Sequence, residues 1–141
     1  IDNSNYWVRN LPDKNQAANT LANIKINIYK LVNYLQKNKQ LFPENMKYIK
    51  DLVSRTKDIV IMETGADEKY TSYTINKGEK IVFCIRSKED NKLEDLNTMM
   101  FVAIHELAHI MTESVGHTQE FWKNMKFIQM DLVGKVLSNK F

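Results

Sequence analysis

His105-Glu106-Leu107-Ala108-His109 is the stretch of this chain whose residue types and spacing suit catalysis. Its two histidines are four apart, so on a helix both imidazoles project from one face and can reach a single metal ion. Glu106 lies about 100° around the helix from His105, where its carboxylate can approach a metal-activated water without ligating the metal. Imidazole ligands suit zinc. Zinc lowers the pKa of such a water toward neutrality, and Glu106 can take the proton as general base. A catalytic zinc needs a third protein ligand and an open fourth position. His117, eight residues after His109 and directly after Gly116, is the candidate. The chain has 3 histidines, all between positions 105 and 117.

A bare H-E-x-x-H arises by chance on ordinary helices. Here the surrounding helix is strongly apolar, so its polar residues need a reason, a strand-like run precedes it, and a third histidine follows a helix-ending glycine. Glu113 lies eight positions from His105, about 12 Å along a helix axis, which is too far to share one ion and leaves it a solvated or supporting acid. Glu120 is read as a cap for the last helix, with orientation of a histidine as the alternative. Cys84, within an apolar strand, is read as core. Tyr70 and Tyr73 could stabilise a tetrahedral intermediate but read first as half-buried strand aromatics. The run Ile81–Arg86 is expected to form the sheet edge above the metal, where an extended peptide could add as a strand.

The elements that must position these residues follow from periodicity. Leu21, Ile24, Ile28, Leu31 and Leu35 predict an amphipathic helix over 16–37. Pro43-Glu44-Asn45 opens a second helix with Ile49, Leu52 and Val53, ending near Thr56. Ile59–Met62 is a short strand. The runs 71–75 and 80–86 flank Asn76-Lys77-Gly78-Glu79 and read as a hairpin. A long helix begins after Asp90-Asn91, with Glu94 and Asp95 in its first turn, and runs to about Ser114, where Gly116 serves as a left-handed cap. Two apolar stripes, one of them Phe101, Ile104, Ala108 and Met111, predict burial between layers. A last helix starts near His117-Thr118, with Phe121, Met125, Ile128 and Leu132 inward. The fold class is therefore α+β, zincin-like: a small, mainly antiparallel three-stranded sheet on the central H-E-x-x-H helix, with flanking helices. Residues 1–14 form an irregular lead-in and 15–141 a single domain.

With 43% hydrophobic and 26% charged residues, composition is ordinary for a globular chain. No apolar run approaches the roughly 20 residues of a membrane-spanning helix, so no membrane partner is expected. The first residues carry no basic and apolar regions of a signal peptide. One cysteine excludes an internal disulfide framework and favours a reducing, intracellular compartment. The net charge of +3 tolerates a nucleic-acid partner without demanding one. The 17 lysines far outnumber the 3 arginines, which points to an A/T-rich genome.

The motif, followed by Gly116-His117-Thr118-Gln119-Glu120-Phe121-Trp122, resembles the WLM-domain metallopeptidases and their SprT-type relatives over about residues 80–126. These carry H-E-x-x-H on one helix and a third histidine opening the next, often followed by an aromatic pair. The resemblance implies zinc on His105, His109 and His117, Glu106 as catalytic acid/base, and a protein or peptide substrate. It further implies proteolysis of proteins crosslinked to or bound on DNA, activated by DNA, with a nuclear or DNA-associated location. Seven residues separate His109 from His117; WLM members usually have fewer and SprT types more, which leaves the subfamily open. The alternative is a zinc hydrolase with a non-peptide substrate such as a nucleotide, because a similar triad occurs in a nucleotide-hydrolysing relative. That reading needs cations for phosphate, and Arg86 and Lys123 are the nearest in sequence. A purely structural zinc is disfavoured, since a closed site needs four protein ligands.

Overall fold

A computed structural model describes residues 6–65, 72–87 and 89–129. The periodic apolar residues of the first helix, α1 (Lys14–Lys37), are all fully buried. Each such Leu or Ile contributes about 1.5–3 kcal/mol relative to exposure. A turn of 3-10 helix at Pro43–Asn45, where proline's fixed φ fits a first helical turn, leads into α2 (Met46–Thr56). Its inward residues Ile49 and Leu52 are likewise fully buried.

Three strands follow: β1 (Val60–Glu63), β2 (Tyr73–Ile75) and β3 (Lys80–Phe83), in spatial order β1-β3-β2. The expected hairpin is present, with Thr74 opposite Ile81 in an antiparallel ladder. The other pairing, Ile61 with Ile81, is parallel, so the sheet is mixed. β3 is thus central, and the expectation that it forms the edge above the metal fails. Its run Ile81-Val82-Phe83 is buried throughout, and a strand apolar on both faces belongs in the middle of a sheet. Among the described residues the edge strand nearest the motif helix is β2.

The β2–β3 turn has positive φ at Asn76, Lys77 and Gly78. At Gly78, with φ of 121°, a Cβ would stand 2.7 Å from the Arg55 carbonyl oxygen. Only glycine lets the turn close on the end of α2.

The motif helix α3 (Leu96–Met111) is shorter than predicted at both ends. Asp95 lies before it as N-cap, accepting from the Thr98 N–H at 2.7 Å. Thr112 is already extended, so the helix stops before Gly116, whose φ of 86° instead turns the following loop. Ala103, Leu107, Ala108 and Ile110 are fully buried, but Phe101 is 53% exposed and leaves its predicted stripe. The last described helix is α4 (Gln119–Lys126), with Thr118 as its N-cap and Phe121, Met125 and the following Ile128 buried. Leu132 lies outside the described residues.

Arg86 is not the solvated charge expected. It is buried, donating from Nε to Glu63 Oε2 at 2.6 Å and from Nη1 to Asp13 Oδ2 at 2.8 Å. Glu63 also accepts from the Arg9 backbone N–H, and its own N–H donates to the Trp7 carbonyl. The segment before α1 is thereby pinned to the end of β1. No helix among the described residues is long and apolar enough to cross a membrane.

Candidate metal centre

The four-residue interval on α3 places His105 and His109 side by side, with ring centroids 4.9 Å apart. The loop 112–118 then returns the chain so that His117 meets both. One nitrogen from each of the three imidazoles lies within 4.8 Å of the others. The Nε2 atoms of His105 and His117 are 3.3 Å apart. Two nitrogens each about 2.05 Å from a tetrahedral zinc are separated by about 3.3 Å, so this pair already has the spacing of two zinc ligands.

Electrostatics favour the unprotonated ligand form of His105 and His109. Burial and the facing His117 hold His105 below the ordinary imidazole range. Burial, the other two histidines and Lys77 push His109 down to about 4. Three imidazole donors with no fourth ligand in the cluster among the described residues could hold a metal ion and leave a coordination position open.

Glu106 is buried beside the cluster, 4% exposed. Burial raises its carboxyl to about 7 against the opposing hydrogen bond from Thr74 Oγ1 to Oε1 at 2.8 Å. A base near neutrality is efficient at neutral pH. Thr74 comes from β2, so the edge strand orients the carboxylate.

Phe121 is fully buried and stacks on His109, with centroids 4.2 Å apart and an interplanar angle of 28°. Exposed Trp122 lies against the His117 ring at 5.7 Å. The aromatic pair after the third histidine therefore floors and flanks the cluster.

The histidine-bearing loop is held from two sides. Lys77 Nζ donates to the carbonyls of His109, Thr112 and Ser114 at 2.9, 2.6 and 3.0 Å, and Arg55 Nη1 donates to the Ile110 carbonyl at 2.6 Å. The His109 and Ile110 carbonyls belong to the last turn of α3 and those of Thr112 and Ser114 to the segment just after it, and cations there meet the negative end of the helix dipole. Opposite, Glu120 Oε1 accepts from the Ser114 N–H and hydroxyl, and Oε2 accepts from the Tyr48 hydroxyl at 2.7 Å. Glu120 thus neither caps α4 nor orients a histidine; Thr118 is the cap. Lys77, Thr74, Ser114 and Tyr48 have no signal in the local pattern, because each acts through a tertiary contact.

Glu113 pairs with exposed Lys47 away from the cluster, as a solvated acid does. Lys123 is exposed. Cys84 is only half-buried and lines a cavity beside His105 and Glu106, not the core. Tyr73 lines the metal cavity with Thr74, Lys77 and the three histidines, whereas Tyr70 lies outside the described residues.

An α+β fold with a small mixed sheet over an H-E-x-x-H helix, closed by a third histidine, defines a recognisable class. A family model described as the WLM domain matches residues 62–136, and the chain belongs to that family. This settles the subfamily that the histidine spacing left open. At the level of the family it supports a protease-type function. Protein R325 of Acanthamoeba polyphaga mimivirus is 39% identical over 128 residues, covering 91% of this chain and 65% of that protein. Protein 136R of Invertebrate iridescent virus 6 is 35% identical over 99 residues, covering 66% of this chain and 55% of that protein. The chain thus spans less than two thirds of the length of these relatives. The fold is similar to a crystal structure of a Wss1 mutant from Saccharomyces cerevisiae, with a TM-score of 0.57, 19% identity, and coverage of 92% of this chain and 85% of that one.

Proposed function

We propose that the chain is the core of a zinc-dependent metallopeptidase, with His105, His109 and His117 as ligands and Glu106 as general base. The observation that carries this reading is the convergence of three imidazole nitrogens beside a buried carboxylate in one cavity. Zinc held there supplies a Lewis acid and a water acidified toward neutral pH. Glu106, anchored through Oε1 by Thr74, takes a proton from water and returns it to the leaving amine. Its burial keeps it from being spent on bulk solvent. The outer edge of β2 offers backbone groups along which an extended peptide can align.

A peptide substrate is favoured over a nucleotide. Apart from the histidines, Lys77 is the basic residue among the described lining of the metal cavity, and it is occupied by three backbone carbonyls. Arg86 is neutralised by Glu63 and Asp13. The finer reading is that the substrates are proteins crosslinked to or bound on DNA, with DNA as activator; it follows the family resemblance.

The test is cleavage of a DNA-binding protein by the zinc-loaded chain, with and without single-stranded DNA, against Glu106→Gln. The expected result is one zinc per chain in both proteins and cleavage only with Glu106, rising with DNA. Cleavage unaffected by Glu106→Gln would overturn the assignment of the base. Cleavage indifferent to DNA would remove the DNA-linked part.

A further inference from the structure

Beside the metal cavity lies a second one of about 470 Å³ along the N-terminal half of α3. Met99, Phe101 and Val102 from the helix and Cys84 from the segment after β3 give its lining an apolar part beside polar and charged residues. Phe101 is 53% exposed although its neighbours Met99, Met100, Ala103 and Ile104 on the same helix are buried. A lone exposed phenylalanine means little. Here it completes the apolar part of a concave lining, the usual form of a ligand subsite.

The two cavities adjoin. Ser72, His105 and Glu106 line both. A substrate whose scissile carbonyl reaches Glu106 therefore has its neighbouring side chain at the mouth of the second cavity. On α3, Phe101 and Val102 each lie three or four residues from both Thr98 and His105, so the four side chains share one face over a run of about 10 Å. That is about three residues of extended peptide. Charge narrows the occupant. Glu89 and Glu94 are in the lining, and the charge of Arg86, the cation in the described lining, is offset by Glu63 and Asp13 through Nε and Nη1, while its Nη2 makes no hydrogen bond among the described residues. Carboxylates outnumber the cation of the described lining, so the local charge disfavours an acidic side chain or a phosphate.

We propose that this groove is the substrate-selecting subsite, taking one bulky apolar side chain (Leu, Met or Phe) from the residue beside the scissile bond and rejecting Asp and Glu. Phe101 and Val102 are the specificity-determining residues. The assignment rests on the metallopeptidase reading, because it takes Glu106 as the reacting centre.

Two measurements on the zinc-loaded protein test it. The first compares kcat/KM for peptides differing only in Leu or Asp at the position identified from a peptide-library digest. The second, independent of turnover, compares binding of acetohydroxamate with that of a hydroxamate bearing an isobutyl branch, while following the methyl signals of Met99 and Val102. The expected result is a preference for Leu of about 10-fold or more, on the scale that apolar pockets discriminate. A similar gain in affinity from the isobutyl branch and shifts of both methyl signals are expected with it. Phe101→Ser, at an exposed position, should erase most of both preferences while leaving acetohydroxamate binding and the melting temperature near wild type. Equal turnover of the two peptides together with no gain from the isobutyl branch would overturn the subsite alone. A chain that retains no zinc and binds neither hydroxamate would overturn the metallopeptidase reading, and the subsite with it.

Discussion

At the scale of single residues, Glu106 shows how burial sets both reactivity and cost. In the metal-free protein its carboxyl titrates at about 7 when folded, against 4.5 ordinarily. Below pH 4.5 it is protonated in both states and costs nothing. Between the two values the unfolded chain ionises and the folded one does not, so stability falls as pH rises. Above about 7 the full penalty is present, at most about 3 kcal/mol. Glu106→Gln is therefore expected to raise the urea stability of the metal-free protein by up to that amount at pH 8, and by little at pH 4. An equal gain at both would show that the carboxyl is not shifted. The residue was legible in the sequence because helix geometry alone sets its angle from His105. Its partner Thr74 was not, since nothing local links a strand hydroxyl to a carboxylate 32 positions away.

At the scale of elements, the C-terminus of α3 and the loop after it decide whether the three histidines meet. Lys77 ties the peptide of His109 to those of Thr112 and Ser114, the start of the segment that presents His117. Lys77→Met leaves these carbonyls without their charged donor. We expect a loss of about 1–3 kcal/mol in stability, the cost of stranding such acceptors. We also expect a larger loss in the zinc-loaded than in the metal-free protein, because the ligands are no longer pre-positioned. Melting curves with and without zinc check this; equal losses would mean that Lys77 supports the fold but not the metal geometry. Gly78→Ala acts on the same turn, through strain at φ 121° and a clash with the Arg55 carbonyl. A destabilisation of about 1–3 kcal/mol is expected, read from urea denaturation.

At the scale of the whole molecule, Arg86 joins parts of the chain far apart in sequence: the start of α1 through Asp13, the end of β1 through Glu63, and the loop before α3 through the Asn91 carbonyl. Its side chain is 4% exposed and that of Glu63 is 1%. Removing one partner of a buried ion pair leaves an uncompensated charge. Arg86→Met is expected to cost about 3–5 kcal/mol, measured by urea denaturation. The double replacement Arg86→Met with Glu63→Gln should recover part of the loss; no recovery would show that packing, not charge, dominates there.

The sequence by itself determined what depends on local periodicity and short-range geometry. The stripes of α1 and α2, the hairpin around Asn76-Lys77-Gly78 and the pairing of His105 with His109 on one helix face are all set by neighbours within a few positions. The gathering of His117 was also legible, because a glycine with freedom to turn precedes it. Tertiary structure alone decided the rest. The parallel partner of β3 was chosen by the need to cover a strand apolar on both faces, which no hairpin signal encodes. Phe101 was freed from its stripe because the layers around α3 leave that face open beside Cys84. Glu120 and Arg86 took their roles from carbonyls, hydroxyls and carboxylates that only the folded chain brings near. Local pattern fixes which residues share a face; what that face meets depends on contacts between residues distant in sequence.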